Sequence, residues 1–119
     1  MTIPSELNVL INRLNAELDR IETQATEGLR LLGPIMSSFP DNTVLIQQFA
    51  YLNTILFFLE SSRKQINDGV ELASDTAVSE EIIQDLGETF SNLLGKVIEV
   101  KLKVETIVNR WRSEDENPD

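Results

Sequence analysis

LIQQFAYLNTILFFLESSRKQINDGVELA, residues 45–73, decides the fold. Its apolar residues fall at alternating steps of four and three: Leu45, Phe49, Leu52, Leu56, Leu59, Ile66, Val70 and Ala73, with Arg63 at one position of the same series. A period near 3.5 keeps one stripe of a helix against its partner over the whole length, as in coiled coils. The steps recur upstream in Leu7, Ile11, Leu14, Leu18, Ile21, Ala25, Gly28 and Leu32. They recur downstream in Ile83, Leu86, Phe90, Leu93, Val97, Val100, Val104, Ile107 and Trp111. Three such stripes in 119 residues predict an all-α chain. The expected architecture is an elongated antiparallel up-down-up three-helix bundle with coiled-coil-like packing, assembling as a homo-oligomer into a larger helical bundle.

Punctuation sets the expected limits. Helix 1 covers 5–32, because Gly33-Pro34 joins a C-terminal breaker to a residue with no amide to donate. Helix 2 covers 41–73, capped by Ser38 or Asp41, with Gly69 an internal glycine costing up to about 1 kcal/mol. Helix 3 covers 79–112, opened by Thr76 or Ser79, with Glu80 and Glu81 complementing its N-terminal dipole. A single domain, 1–112, is followed by an acidic flexible tail, 113–119. Connections this short force neighbouring helices antiparallel.

Composition removes whole classes of chemistry. The chain has no cysteine and no histidine, which excludes a disulfide scaffold, thiolate chemistry and the usual general base. Residues 1–13 carry Glu6, two asparagines and Arg13 among the apolar ones, unlike a basic start followed by a solid apolar block, so a cytoplasmic protein is expected. Between Asp41 and Glu60 no residue is charged, but Gln47, Gln48, Asn53 and Thr54 interrupt 18 positions, so a soluble helix is expected rather than a membrane span. Ser37, Ser38, Ser61 and Ser62 have no activating base, no glycine-rich phosphate loop is present, and a Glu81/Asp85 pair lacks the Glu-x-x-His motif of di-iron bundles. The expected protein is not an enzyme and takes no cofactor.

A second apolar series points to a partner. Val44, Tyr51 and Phe58 lie seven apart, flanked by Ala50 and Phe57, on the side of helix 2 turned away from its main stripe. Helix 3 repeats the feature through Leu94, Ile98 and Leu102. Surplus apolar surface of this kind marks an interface, with a homo-oligomer (a dimer first) or another helical protein as occupant. The alternative is that helix 2 lies between its neighbours and buries a wide face within one chain.

Charge is localised. Net charge is −10, and Asp68, Glu71, Asp75, Glu80, Glu81, Asp85 and Glu88 fall in a stretch, 65–95, without lysine or arginine. Such an end can hold a hard cation, imitate DNA toward a basic protein, or keep an oligomer soluble. No Asp-x-Asp-x-Asp-Gly loop is present, so solubility and steering are expected, and direct nucleic-acid binding is opposed by phosphate repulsion. Arg63 is expected to reach solvent or pair with Glu17 or Glu27, and Trp111 to plug the bundle end near Pro34, Ile35 and Met36. The functional expectation is a non-enzymatic helical protein–protein interaction module: an adaptor, scaffold or regulator. The alternatives are a bundle binding a small molecule or lipid among Phe49, Phe57, Phe58 and Phe90, and an acidic decoy for a basic nucleic-acid-binding protein.

Overall fold

Three long helices with buried stripes can satisfy one another only by packing lengthwise, and they do. The computed structural model describes residues 3–116, and side chains as far as Ser113. The elements are α1 (Ser5–Ser38), α2 (Thr43–Ala73) and α3 (Glu80–Glu116), with no strand among the described residues. The molecule measures 60 × 22 × 17 Å. α1 packs closely against both other helices, whereas α2 and α3 approach each other less along their length.

α1 buries every residue of its expected stripe, and adds Glu17 and Leu31. It does not stop at Gly33-Pro34; Pro34 lies inside the helix, which ends at Ser38. The missing Pro34 amide is offset by burial, because Ile35 and Met36 beyond it pack against the core. The last turn is closed by the Phe39 amide, which donates to the Ile35 carbonyl at 3.0 Å.

α2 begins at Thr43 because Asn42, rather than Ser38 or Asp41, caps it: Asn42 Oδ1 accepts from the Val44 and Leu45 amides at 3.0 and 3.2 Å. Side-chain oxygens at this position satisfy first-turn amides that have no intrahelical partner. The helix passes through Gly69 without a break. Ser79 Oγ accepts from the Ile82 amide at 3.2 Å and so opens α3. The helical backbone then continues past Arg112 to Glu116, so residues 113–116, expected in a flexible tail, are helical; residues 117–119 lie outside the described part.

The seam of α2 differs from the apolar series by one residue. Buried are Leu45, Leu52, Ile55, Leu59, Ser62, Ile66, Gly69 and Ala73. Phe49, Leu56, Arg63 and Val70, expected at the seam, are only half-buried. Size explains the shift. A side chain on Gly69 would meet the Phe90 ring, so the smallest residue sits where α3 comes nearest. Gly28 plays the same part in α1, where a Cβ would stand 2.7 Å from a Leu52 methyl and 3.1 Å from one of Val108.

Candidate protein interface at the α2/α3 junction

The one-residue shift turns Tyr51 and Phe58 toward α3. Both are half-buried and pack on the core, rather than pointing away from it. Tyr51, Thr54, Ile55, Phe58, Lys96, Glu99, Val100 and Lys103 line a cavity of about 230 Å³ between the two helices. A second, of about 460 Å³, continues past Tyr51 and Lys103 to Gln48, Leu102, Thr106 and Ile107. The Lys103 ammonium lies 5.9 Å from the Tyr51 ring centroid, and desolvation, aided by the Glu99 carboxylate, pushes the Tyr51 hydroxyl above its ordinary pKa. Tyr51 therefore stays a protonated donor at neutral pH.

The rest of the expected interface is spread around this junction. Phe57 is 73% exposed, Leu102 56% and Val44 48%. Leu94 is half-buried against the core, one heptad from Lys101, which reaches α1; Ile98 is half-buried beside it. Leu94 and Ile98 thus lie on the side of α3 that meets α1, away from Tyr51 and Phe58. By length and composition α2 would suffice to cross a membrane, and only 22% of its most apolar window is buried. Of the four phenylalanines expected around a ligand, Phe58 lines the α2/α3 cavity, Phe90 is buried against Gly69, and Phe57 faces outward.

All seven acidic residues of the expected acidic end are exposed. Asp68 accepts from Lys64 Nζ at 3.0 Å, and Asp75 Oδ1 accepts from the Ala77 amide at 2.9 Å. Among the described residues no three carboxylates form a group that could hold a metal ion.

Three polar contacts were misjudged or missed in the sequence. Arg63 pairs with Asp19 at 2.9 Å and Glu22 at 3.0 Å, both on α1, instead of Glu17 or Glu27. Glu17 is buried and ion-paired to Lys101 of α3 at 2.9 Å. The Lys101 ammonium holds the Glu17 carboxyl below its ordinary pKa, against the opposing effect of desolvation. The signal in the sequence was position: Glu17 lies beside Leu18 and one turn before Ile21. Trp111 is half-buried, and its Nε1 donates to Gln48 Oε1 of α2 at 2.6 Å.

No protein-family model matches the chain, and neither a curated protein nor a solved structure matches it significantly.

Proposed function

We propose that the protein is a helical interaction module whose α2/α3 junction binds a second copy of the chain. Its helices run up-down-up. Supporting that order, Arg63 of α2 meets Asp19 and Glu22 of α1 whereas Leu52 meets Gly28, and Lys101 of α3 meets Glu17 whereas Val108 meets Gly28. Residue numbers thus fall along α2 and rise along α3 as they rise along α1.

The observation that carries the interface is Phe57, a phenylalanine 73% exposed at the middle of α2, on a helix that also exposes Val44 and Ala50 and leaves Tyr51 half-exposed beside α3. Large apolar side chains held in water are stabilised when another protein covers them. The module works by association and performs no chemistry on its partner, so its role is that of an adaptor, scaffold or regulator.

Light scattering coupled to size-exclusion chromatography tests this with wild type and Phe57→Glu. The reading expects a dimer for wild type and a monomer of equal helicity for the variant. A wild type that stays monomeric at every concentration overturns it.

A further inference from the structure

The outer face of α3 carries a charge pattern that is its own antiparallel complement. Glu81, Asp85, Glu88, Asn92, Lys96, Glu99 and Lys103 follow one another at steps of 4, 3, 4, 4, 3 and 4, which keeps them on one stripe of the helix. All seven are exposed and none is apolar. The steps read the same in both directions from Asn92. Glu88 and Lys96 stand four residues either side of it, and Glu81 and Lys103 eleven. The three charged residues before the centre are acidic, and of the three after it Lys96 and Lys103 are basic while Glu99 is acidic.

Four of the charges on this stripe also make no ion pair within the chain. Among the described residues neither Lys96 nor Lys103 has a carboxylate within 4.0 Å, nor has Glu81 or Glu88 a cationic partner. Arg110, one heptad beyond Lys103, stacks over Trp111 at 5.1 Å and has no carboxylate within 4.0 Å among the described side chains. Asp75 lies at nearly the mirror distance on the far side of Asn92.

We infer that two copies associate with their α3 helices antiparallel about a two-fold axis at Asn92, so that Glu81 meets the partner's Lys103 and Glu88 meets the partner's Lys96. This rests on the homodimer reading above and assigns its register. A two-fold contact is self-complementary by construction, and a charge pattern that reverses sign about one residue is what it requires. Lys96 and Lys103 line the cavity that Tyr51 and Phe58 also line, so a helix seated on the lysines covers those aromatic rings too. The partner's Ile82, next to Glu81 and itself exposed, arrives at the level of Lys103 and Tyr51. Asp85 faces the partner's Glu99, a like-charge contact that the flanking opposite pairs outnumber. Exposed ion pairs contribute little affinity individually; here they select register and orientation, while the covered apolar rings supply the attraction.

Charge exchange tests the register. Lys96→Glu/Lys103→Glu and Glu81→Lys/Glu88→Lys each place like charges at both contacts in their own homodimer and opposite charges at both in a mixed dimer. Sedimentation velocity is expected to show each double variant at monomer mass, with wild-type helicity by circular dichroism, and their equimolar mixture at twice that mass. Because the chain has no cysteine, Asn92→Cys gives an independent readout: oxidation should link two copies through the axis. Two double variants that both remain dimeric, or an Asn92→Cys protein that dimerises without cross-linking, overturn the register and leave the homodimer reading standing. Variants that lose association without recovering it on mixing also overturn the register. A monomeric wild type overturns both.

Discussion

The Phe90 ring occupies the space that a side chain at Gly69 would need. This single contact sets how closely α2 and α3 approach at the end of the molecule where α2 finishes. Ordinarily alanine stabilises a helix interior over glycine by about 1 kcal/mol. Here Gly69→Ala must displace a ring that is 1% exposed, and overpacking of this kind costs about 1–3 kcal/mol, so net destabilisation is expected. Gly95 has nothing within 4 Å of its would-be Cβ, and Gly95→Ala should stabilise by about 0.5–1 kcal/mol. Urea denaturation of the two variants checks the opposite signs.

Glu17 and Lys101 make stability depend on acid in a defined direction. The carboxyl has a lower pKa folded than unfolded, so its contribution is present above the ordinary carboxylate range and disappears as pH falls through the folded value. Lys101→Met removes the closest cation of the buried carboxylate and leaves it only the longer contact to Arg20 at 3.7 Å. The expected loss is about 2 kcal/mol at pH 7, below the figure for a fully enclosed pair because 19% of the lysine side chain is exposed. That loss should shrink toward pH 3, where protonation removes the unpaired charge. Denaturation midpoints of wild type and variant from pH 3 to pH 7 measure the difference, and a gap that does not change with pH contradicts the assignment.

Pro34 interrupts an α1 hydrogen bond while sitting on an exposed turn. Pro34→Ala restores that donor without touching the core, and a stabilisation of about 1–3 kcal/mol is expected. Thermal unfolding followed by circular dichroism provides the measurement. A destabilised variant would mean that the ring packs usefully where it lies.

Phe57→Glu should leave monomer stability within about 0.5 kcal/mol of wild type, because the side chain is mostly in water and glutamate is the better helix former. Urea titration at a dilution where wild type is monomeric isolates that comparison from association.

Much of this architecture was legible because every residue of the expected α1 stripe, from Leu7 to Leu32, is buried. α2 was harder. Its seam runs through Ser62 and Gly69, which carry no hydrophobic signal and are there because they are small. Reading apolar residues alone therefore put Phe49, Leu56 and Val70 at the centre and turned Tyr51 and Phe58 outward, when they lie at the α3 junction. Gly33-Pro34 was misread for a related reason: local punctuation favours a stop, but the buried surface of Ile35 and Met36 carries the helix onward. Exposure of Phe57 and Leu102 followed from the pattern directly. The reversal of charge about Asn92 was in the sequence too. It acquires meaning once the structure places Lys96 and Lys103 beside Tyr51 and Phe58 with no carboxylate of their own.

Sedimentation equilibrium of the wild-type protein tests the central claim most directly. The chain weighs 13.4 kDa, and the account expects a concentration-dependent rise from that mass to twice that value, with no larger species. A single species at 13.4 kDa across the accessible concentrations would mean that Phe57, the open side of Tyr51, Lys96 and Lys103 meet only water.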